Sequence, residues 1–409
     1  MPTGIKQCAL PVHRCDFRFT DVNVHSTYSG IQRRNTPSRK SMARKRILEI
    51  LSSCDVEGTW RQCTELATQL PTQEFDVQLC LLARDRRDVG LLEKTGLIVQ
   101  TVGSSRKIDP WVLWPLIQLI KRWNPDLVHS WDSVTNVYGP LAAHIAGVQT
   151  IFCNVWEPAN QKNEWKNYVA RFLKNRIQKM IVPSRVLCDS DHTLRNHKDG
   201  AIDIIPPGLP LLPETTIERE KLFRKLQIPE NSRLIAIVDQ MHSGNRLRDA
   251  IWATELLKVA GHNVQVFIFG KGPRRKSLEQ FRNRVQLEGQ IHFLDDYDLI
   301  GELMGHLDIY WRLGGHRGNS SIPIIEAMRR AIPVIADVSV IHRELLEHEK
   351  TGILVPCGDP ASLASWTQHL LENPVQSKRI GAMGRSAVEN QYDPEITISA
   401  MTQLYKQSL

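Results

Sequence analysis

Short runs of apolar, often β-branched residues recur along this chain, and stretches with helical periodicity lie between them. From Arg46 onward the runs are Ile47–Leu51, Phe75–Leu82, Gly96–Val102, Leu127–Ser130, Thr150–Val155 and Lys179–Val182. The intervening helical segments are Trp60–Leu70, Trp111–Trp123, Val134–Ala146 and Lys166–Arg176. Strand, helix and strand at this spacing bury a parallel sheet under helices on both faces, so the pattern predicts an α/β domain. Ligands of such sheets sit at the carboxyl ends of the strands. Here those ends are Ser52–Gly58, His129–Asp132 and Asn154–Glu157.

The alternation stops at Ile204-Ile205-Pro206-Pro207-Gly208-Leu209-Pro210 through Pro213, the most proline-dense stretch, and then begins again. Proline and glycine at this density mark a boundary. The second set has strands at Leu234–Val238, Val264–Phe269, His292–Leu294 and Asp308–Trp311. Its helices are Leu247–Ala260, Ser277–Leu287 and Ile300–Met304. The expected organisation is a basic tail at 1–45, a first α/β domain at 46–206 and a second at 207–390. An amphipathic helix at 391–409 follows.

Charge is distributed unevenly. Residues 1–46 hold ten Lys/Arg against Asp16 and Asp21, so the net charge of +8 belongs to the tail and the remaining 363 residues balance to zero. A neutral body without a recognised motif argues against a nucleic-acid partner. The tail suits contact with nucleic acid or peripheral contact with acidic lipid, or is a disordered leader preceding a natural start at Met42. No apolar run approaches a membrane span. Eight cysteines without a C-x-x-C pair read as reduced thiols of a cytoplasmic protein, and no metal-ligand spacing appears.

The most chemically suggestive stretch is His316-Arg317-Gly318-Asn319-Ser320-Ser321-Ile322-Pro323-Ile324-Ile325-Glu326-Ala327-Met328. A polar glycine-containing loop gives way to Ser-Ser as N-cap and a proline that a first helical turn tolerates. Free amides at Ser320, Ser321 and Ile322, with the positive end of the helix dipole, favour a phosphate. Glu326 lies about one turn inside, where a carboxylate accepts hydrogen bonds from sugar hydroxyls. The run Ile332–Ala336 then reads as a buried strand.

Together these motifs resemble family 4 glycosyltransferases of the GT-B fold, retaining enzymes that use nucleotide-sugar donors. The resemblance runs from about Arg46 to Leu409. Its most specific part is Glu326-Ala327-Met328 before Ile332–Ala336, followed by Glu344-Leu345-Leu346, Thr351–Pro356 and Gly358-Asp359-Pro360. Ile205–Gly208, Phe269–Pro273, Pro125–His129 and a final helix with Tyr405 match other family landmarks. The resemblance implies two Rossmann-like αβα domains facing a central cleft, the last helix crossing back to the first domain. It implies a nucleotide sugar as co-substrate, no separate cofactor, and an acceptor of unidentified glycan, lipid or small-molecule class. The implied substrate-binding set is Gly58, His129, Gly270, Lys271, Ser320, Ser321, Ile322, Glu326 and Glu344. No catalytic residue is assigned.

Several positions depart from the family. Its two glutamates stand eight positions apart; the second is Glu326, but Gly318 holds the place of the first. Gln240 and Asn245 stand where an arginine and a lysine grip the donor diphosphate, and Val155 or Asn154 where a histidine is usual. Val340-Ile341 replaces a glycine pair, and Ala331 a helix-terminating glycine. The expected function is hexosyl transfer with retention. The alternatives are an impaired relative serving as a nucleotide- or glycan-binding scaffold, and a sugar-nucleotide epimerase on the same architecture.

Overall fold

A computed structural model describes residues 43–54, 58–83, 85–103, 110–156, 172–190, 194, 200–208, 217–242, 244–295, 297–314 and 321–409. Ser320 and Gly318, most of the basic tail and the first half of the expected helix Lys166–Arg176 lie outside the described residues.

The first sheet contains β1 (Lys45–Leu51), β2 (Phe75–Leu81), β3 (Ile98–Thr101), β4 (Leu127–Ser130), β5 (Thr150–Asn154), β6 (Lys179–Val182) and β7 (Ile202–Ile204). The helices α1 (Thr59–Gln69), α2 (Arg86–Glu93), α3 (Leu113–Trp123), α4 (Thr135–Ala146) and α5 (Arg185–Ser190) lie between them. All pairings are parallel and the order is β3-β2-β1-β4-β5-β6-β7.

The second sheet contains β8 (Arg233–Val238), β9 (Val264–Phe269), β10 (Ile291–Leu294), β11 (Ile309–Arg312), β12 (Val334–Asp337) and β13 (Ile353–Val355), in the order β10-β9-β8-β11-β12-β13. Its helices are α6 (Arg219–Leu226), α7 (Leu247–Val259), α8 (Arg275–Arg284), α9 (Tyr297–Met304), α10 (Ile322–Arg329), α11 (Val340–Leu345), α12 (Pro360–Glu372) and α13 (Pro374–Val388). The chain closes with α14 (Pro394–Ser408).

Both sheets reverse direction of growth after their third strand, which sets β4 beside β1 and β11 beside β8. A crevice forms where connections leave such a point in opposite directions, and that is where ligands of open parallel sheets bind. Both faces are apolar, as parallel sheets require. Along β8, Leu234, Ala236 and Val238 enter one core while Ile235 and Ile237 enter the other. In the first half Ile47 and Leu127 face one core, and Leu48 and Val128 face the other.

One of those first-half cores is completed by the end of the chain. Met401, Leu404 and Tyr405 of α14 pack with Ile47, Phe75 and Phe152. The start of α14 clasps the proline-rich segment: Thr397 Oγ1 donates to the Pro206 carbonyl at 2.7 Å. A Cβ at Gly208 would stand 2.5 Å from both Asp393 O and Thr397 Oγ1, so only glycine lets the helix pass there.

Two local expectations change. Ile332 and Pro333 precede β12 rather than opening it, because Pro333 has no amide to give the ladder; its carbonyl still accepts from Tyr310 N at 3.0 Å. Ala331 does end its helix left-handed, at φ 56°, a conformation glycine would hold about 1 kcal/mol more cheaply.

Candidate active site

The helix α10 starts at the hinge. Pro323 occupies its first turn, and Ser321 is its N-cap residue, but the Ser321 side chain makes no capping hydrogen bond, contrary to the role expected of it. Its backbone is already helical (φ −73°, ψ −12°), and its carbonyl accepts from Ile325 N at 3.1 Å. Ile322 is buried, and with Glu326 and Pro207 it walls a small cavity between α10 and the proline-rich segment.

Glu326 is only 5% exposed and is held from two sides. Arg330, one turn further on, approaches Oε1 to 3.1 Å, a pairing set by i,i+4 helical geometry. Arg61 of α1 approaches Oε2 to 3.3 Å from the opposite half. Gly58 prepares that approach. It takes φ 91° as the N-cap of α1, and its carbonyl receives the amides of Arg61 and Gln62. A left-handed residue here starts the helix abruptly after the strand-end loop and aims its first turn across the cleft. The carboxylate expected to meet a sugar is thus bridged by two guanidiniums, and nothing in the sequence pattern announced Arg61.

Further contacts cross the same gap. Arg87 Nη1 donates to the Asp295 carbonyl at 2.8 Å. The exposed Lys271 lies near Asp88 of α2, whose pKa is raised chiefly by burial and moderated by the Cys54 amide and the Lys271 charge. Gly270 ends β9 at φ 148°, its amide donating to Leu294 O, and so carries Lys271 out of the sheet. Glu344 of α11 faces Ser184 of the first half; partial loss of water pushes its pKa up, and the Ser184 hydroxyl pulls it back. Ser321 and Glu344 share one cavity with Trp156 and Ile341. Ile341, in the place of a family glycine, packs toward Val182 and Leu187.

The substituted diphosphate positions are committed elsewhere. Asn245 is buried and donates to Asp239 Oδ1 at 2.6 Å and to the Gln240 carbonyl. Asp239 also lies 3.8 Å from the fully buried Arg312, which donates to Val238 O. Gly314, at φ 83°, packs so close to Asn245 that a Cβ there would stand 2.5 Å from its Cα. Of the cations near these loops in sequence, Arg246 pairs with Asp249 at 2.6 Å, Arg248 lies over the Phe281 ring, and Arg275 binds Glu279. Lys271, by contrast, acts on a carboxyl of the opposite half, Asp88.

His129 requires a correction. It was expected on the cleft wall, yet it is fully buried beneath α14. Its Nδ1 lies 2.6 Å from Tyr405 Oη and 3.1 Å from Glu49 Oε2. Tyr405 donates to Glu49 Oε1 at 2.9 Å, and Trp131 Nε1 donates to Oε2 at 2.6 Å. With the Tyr405 hydrogen spent on Glu49, His129 Nδ1 is left as a donor. Burial first, then Glu49, pushes the Tyr405 pKa well up and keeps that hydroxyl protonated. β4 is central in its sheet, and the chain's last helix covers the face toward which His129 points.

Two buried polar groups lie within the first half, beside α14. Gln62 Oε1 and Asn154 Oδ1 have no hydrogen-bond partner among the described residues, and both residues border a cavity of about 10 Å³ with Trp131 and Trp156. That volume holds about one water molecule, which both oxygens could receive.

Two parallel α/β halves, hinged on a proline-rich segment and sealed by a returning C-terminal helix, define the GT-B class. Residues 218–387 match the sequence model for "Glycosyl transferases group 1", and residues 56–211 match that for "Glycosyltransferase Family 4". The chain belongs to this glycosyltransferase family. Among curated relatives, phosphatidyl-myo-inositol mannosyltransferase of Mycobacterium leprae is 32% identical over 148 residues, 35% of this chain and 38% of that protein. N-acetyl-alpha-D-glucosaminyl L-malate synthase of Bacillus anthracis is 22% identical over 45% of this chain and 48% of its own. The chain therefore matches less than half the length of each. Anabaena HepE, solved with UDP and glucose, superposes with a TM-score of 0.75 at 18% identity, covering 90% of this chain and all of that one. Sucrose-phosphate synthase of Thermosynechococcus elongatus gives 0.72 at 18% identity, covering 89% and 99%. At such identities these two likenesses speak for the fold.

Proposed function

We propose that this chain transfers a hexose from a nucleotide sugar to an acceptor with retention of configuration. The observation that carries the reading is Glu326, one turn inside α10, buried at the hinge and met by a cation from the opposite half. In this reading Glu326 accepts hydrogen bonds from the ribose, and the amides at Ser321 and Ile322 meet the diphosphate. Negative charge developing on the leaving diphosphate is stabilised by those amides and by Lys271. The amides need no side chain, so they survive the substitutions at Gln240 and Asn245.

Among the described residues, the cavity walled by both halves, with Ser184 and Leu187 on one side and Ser321 and Glu344 on the other, is about 20 Å³, whereas small-molecule sites run to several hundred. In this reading the halves part to admit the donor. UDP and GDP sugars are the first donors to test. The Anabaena protein was solved with UDP-glucose, and a Corynebacterium glutamicum relative is a GDP-mannose-dependent mannosyltransferase.

A second reading is favoured by the same geometry. Asn245 is spent on Asp239, and Glu326 is already bridged by Arg61 and Arg330, as in a scaffold that has lost turnover. Each missing diphosphate cation removes about 1.5–3 kcal/mol of charge-assisted hydrogen bonding.

Titration calorimetry of the wild type and Glu326→Gln with UDP, GDP and ADP separates these readings. Weak binding that Glu326→Gln reduces by about tenfold to a hundredfold supports the donor site. No binding at millimolar concentration rejects it. Where binding occurs without transfer to any acceptor in a panel, turnover gained by Gly318→Glu would locate the defect at the position of the family's first glutamate.

A further inference from the structure

A cavity of about 610 Å³ opens at the amino ends of β8, β11 and β12, the sheet edge opposite the candidate active site. Its size falls within the range of small-molecule sites, far above the cavity of about 20 Å³ that both halves wall. Arg233, Arg329, Arg330, Lys378 and Arg385 line it, against the single carboxylate of Asp308.

Much of this charge has a local explanation, which must be subtracted first. Arg329 and Arg385 stand in the last turns of α10 and α13, where cations complement the helix dipole. The helices α9, α10 and α12 end near the rim and α13 begins there. At about half a charge per end, they contribute about one net negative charge. Asp308 is already shared by Arg219 at 2.9 Å, Arg233 at 3.0 Å and the Leu234 amide at 2.8 Å, so it neutralises no further cation. Arg330 is met by Glu326 from the far side, and Arg385 by Glu389 at the surface. Lys378 makes no ion pair among the described residues. Five cationic side chains against one carboxylate remain the dominant feature of the lining.

The wall is also fixed in place. Any Cβ at Gly381 would collide with the Ala331 carbonyl, so α13 lies directly over the left-handed end of α10. Lys378 and Arg385, seven residues apart, share the face of α13 turned to the cavity. Arg330, with only 8% of its side chain exposed, forms part of the lining at lower dielectric, where an anion gains more from it than at the surface.

We propose that this cavity is an anion site for a phosphoryl group, taken either from a small soluble phosphate ester or from a lipid headgroup. Several planar guanidiniums plus one ammonium match the bidentate and point-charge modes by which phosphate is held. The proposal does not depend on the nucleotide-sugar reading, because its residues lie on the opposite edge of the sheet from Ser321 and Lys271.

The test is calorimetric titration of the full chain with inorganic pyrophosphate, alongside co-sedimentation with phosphatidylcholine vesicles with and without phosphatidylglycerol. Both are repeated on Lys378→Glu/Arg385→Glu, which changes two exposed side chains; thermal melting checks the fold. The expected result is sub-millimolar binding of pyrophosphate, weakened at least tenfold in the double variant. Vesicle binding that needs phosphatidylglycerol and is lost in the double variant would support the headgroup source. Pyrophosphate binding unchanged in the double variant would put the anion in the donor cleft and overturn the proposal, as would no binding of either probe by the wild type.

Discussion

The two halves meet at two joints made of different material. Where α14 returns, the contact is deep: Glu49, His129, Trp131 and Tyr405 are all at most 1% exposed, mutually hydrogen bonded and surrounded by Phe75, Phe152 and Leu404. Across the cleft, the contact is thinner: Arg61 to Glu326, Arg87 to the Asp295 carbonyl, Lys271 near Asp88, Glu344 facing Ser184 and one apolar side chain, Ile341, against Val182 and Leu187. The first joint excludes water and cannot open without exposing apolar surface and unpaired buried polar groups. The second gives up mainly hydrogen bonds that water or a ligand replaces at small cost. One joint is an axle, the other a latch, and a donor that needs Glu326 must compete with Arg61 for it.

The largest effect should therefore come from the axle. Glu49→Ala removes the acceptor for the Trp131 indole, the Tyr405 hydroxyl and the His129 imidazole at once, and should cost about 3–5 kcal/mol, as when one partner is stripped from a buried charged pair. Tyr405→Phe, which deletes only the hydroxyl, should cost about 1–3 kcal/mol. Urea unfolding of both variants measures this. A loss under about 1 kcal/mol for Glu49→Ala would mean that α14 is loosely attached, and the contrast between the joints would fail.

Gly208→Ala comes next. The added Cβ meets Asp393 O and Thr397 Oγ1 at 2.5 Å, and the helix start must shift, an overpacking cost of about 1–3 kcal/mol. Beyond the stability loss, the shift should change the angle between the halves, visible in small-angle scattering. Full stability with an unaltered scattering curve would show that the clasp on the hinge is slack.

The contrast between the joints also explains what was legible beforehand. The apolar runs at Leu127–Ser130 and Val264–Phe269 coincide with the observed strands, because central parallel strands are buried on both faces and read as short continuous apolar runs. The edge strand Ile202–Ile204 is three residues long and half exposed, too short for any period. The helix Arg86–Glu93 buries little beyond Asp88 and Leu92, and Pro374–Val388 presents glycines at its closest contacts, so neither carries a stripe of large apolar residues. In the site, Glu326 was found from local signals alone: a proline in the first turn and a carboxylate one turn in. Its partner Arg61 lies 265 residues away, and no local pattern links them. His129 was correctly placed at a strand end, but which face it takes depends on a helix that arrives last in the chain.

Breaking the latch should do less than breaking the axle. Arg61→Ala leaves Glu326 its second partner, Arg330, so the stability loss should be about 1 kcal/mol. The more telling readout is shape. The ligand-free chain should shift toward an open arrangement, with a larger radius of gyration than the wild type. An unchanged radius would mean that the Arg61 contact follows closure and does not hold it.

The smallest effect tests the latch by pH. Burial raises the Asp88 pKa above its ordinary value, and the Lys271 charge, from the opposite half, holds part of that rise back. A carboxyl whose pKa is higher folded than unfolded binds more protons in the folded chain. Its contribution to stability is then full below the unfolded value, near 3.8, and declines as pH rises through the folded value. Asp85 raises the Asp88 pKa further, and Arg87 and the Cys54 amide lower it; all belong to the first half and stay when the cleft opens. Lys271 alone among these leaves. Lys271→Gln should therefore raise the Asp88 pKa and enlarge the stability loss as pH rises above 3.8, while Asp88→Asn should flatten it in either background. Carboxyl titration by NMR with Lys271→Gln measures the shift directly. If Asp88 titrates identically in the two proteins, the halves are apart in solution, and the cleft joint is not a latch at rest.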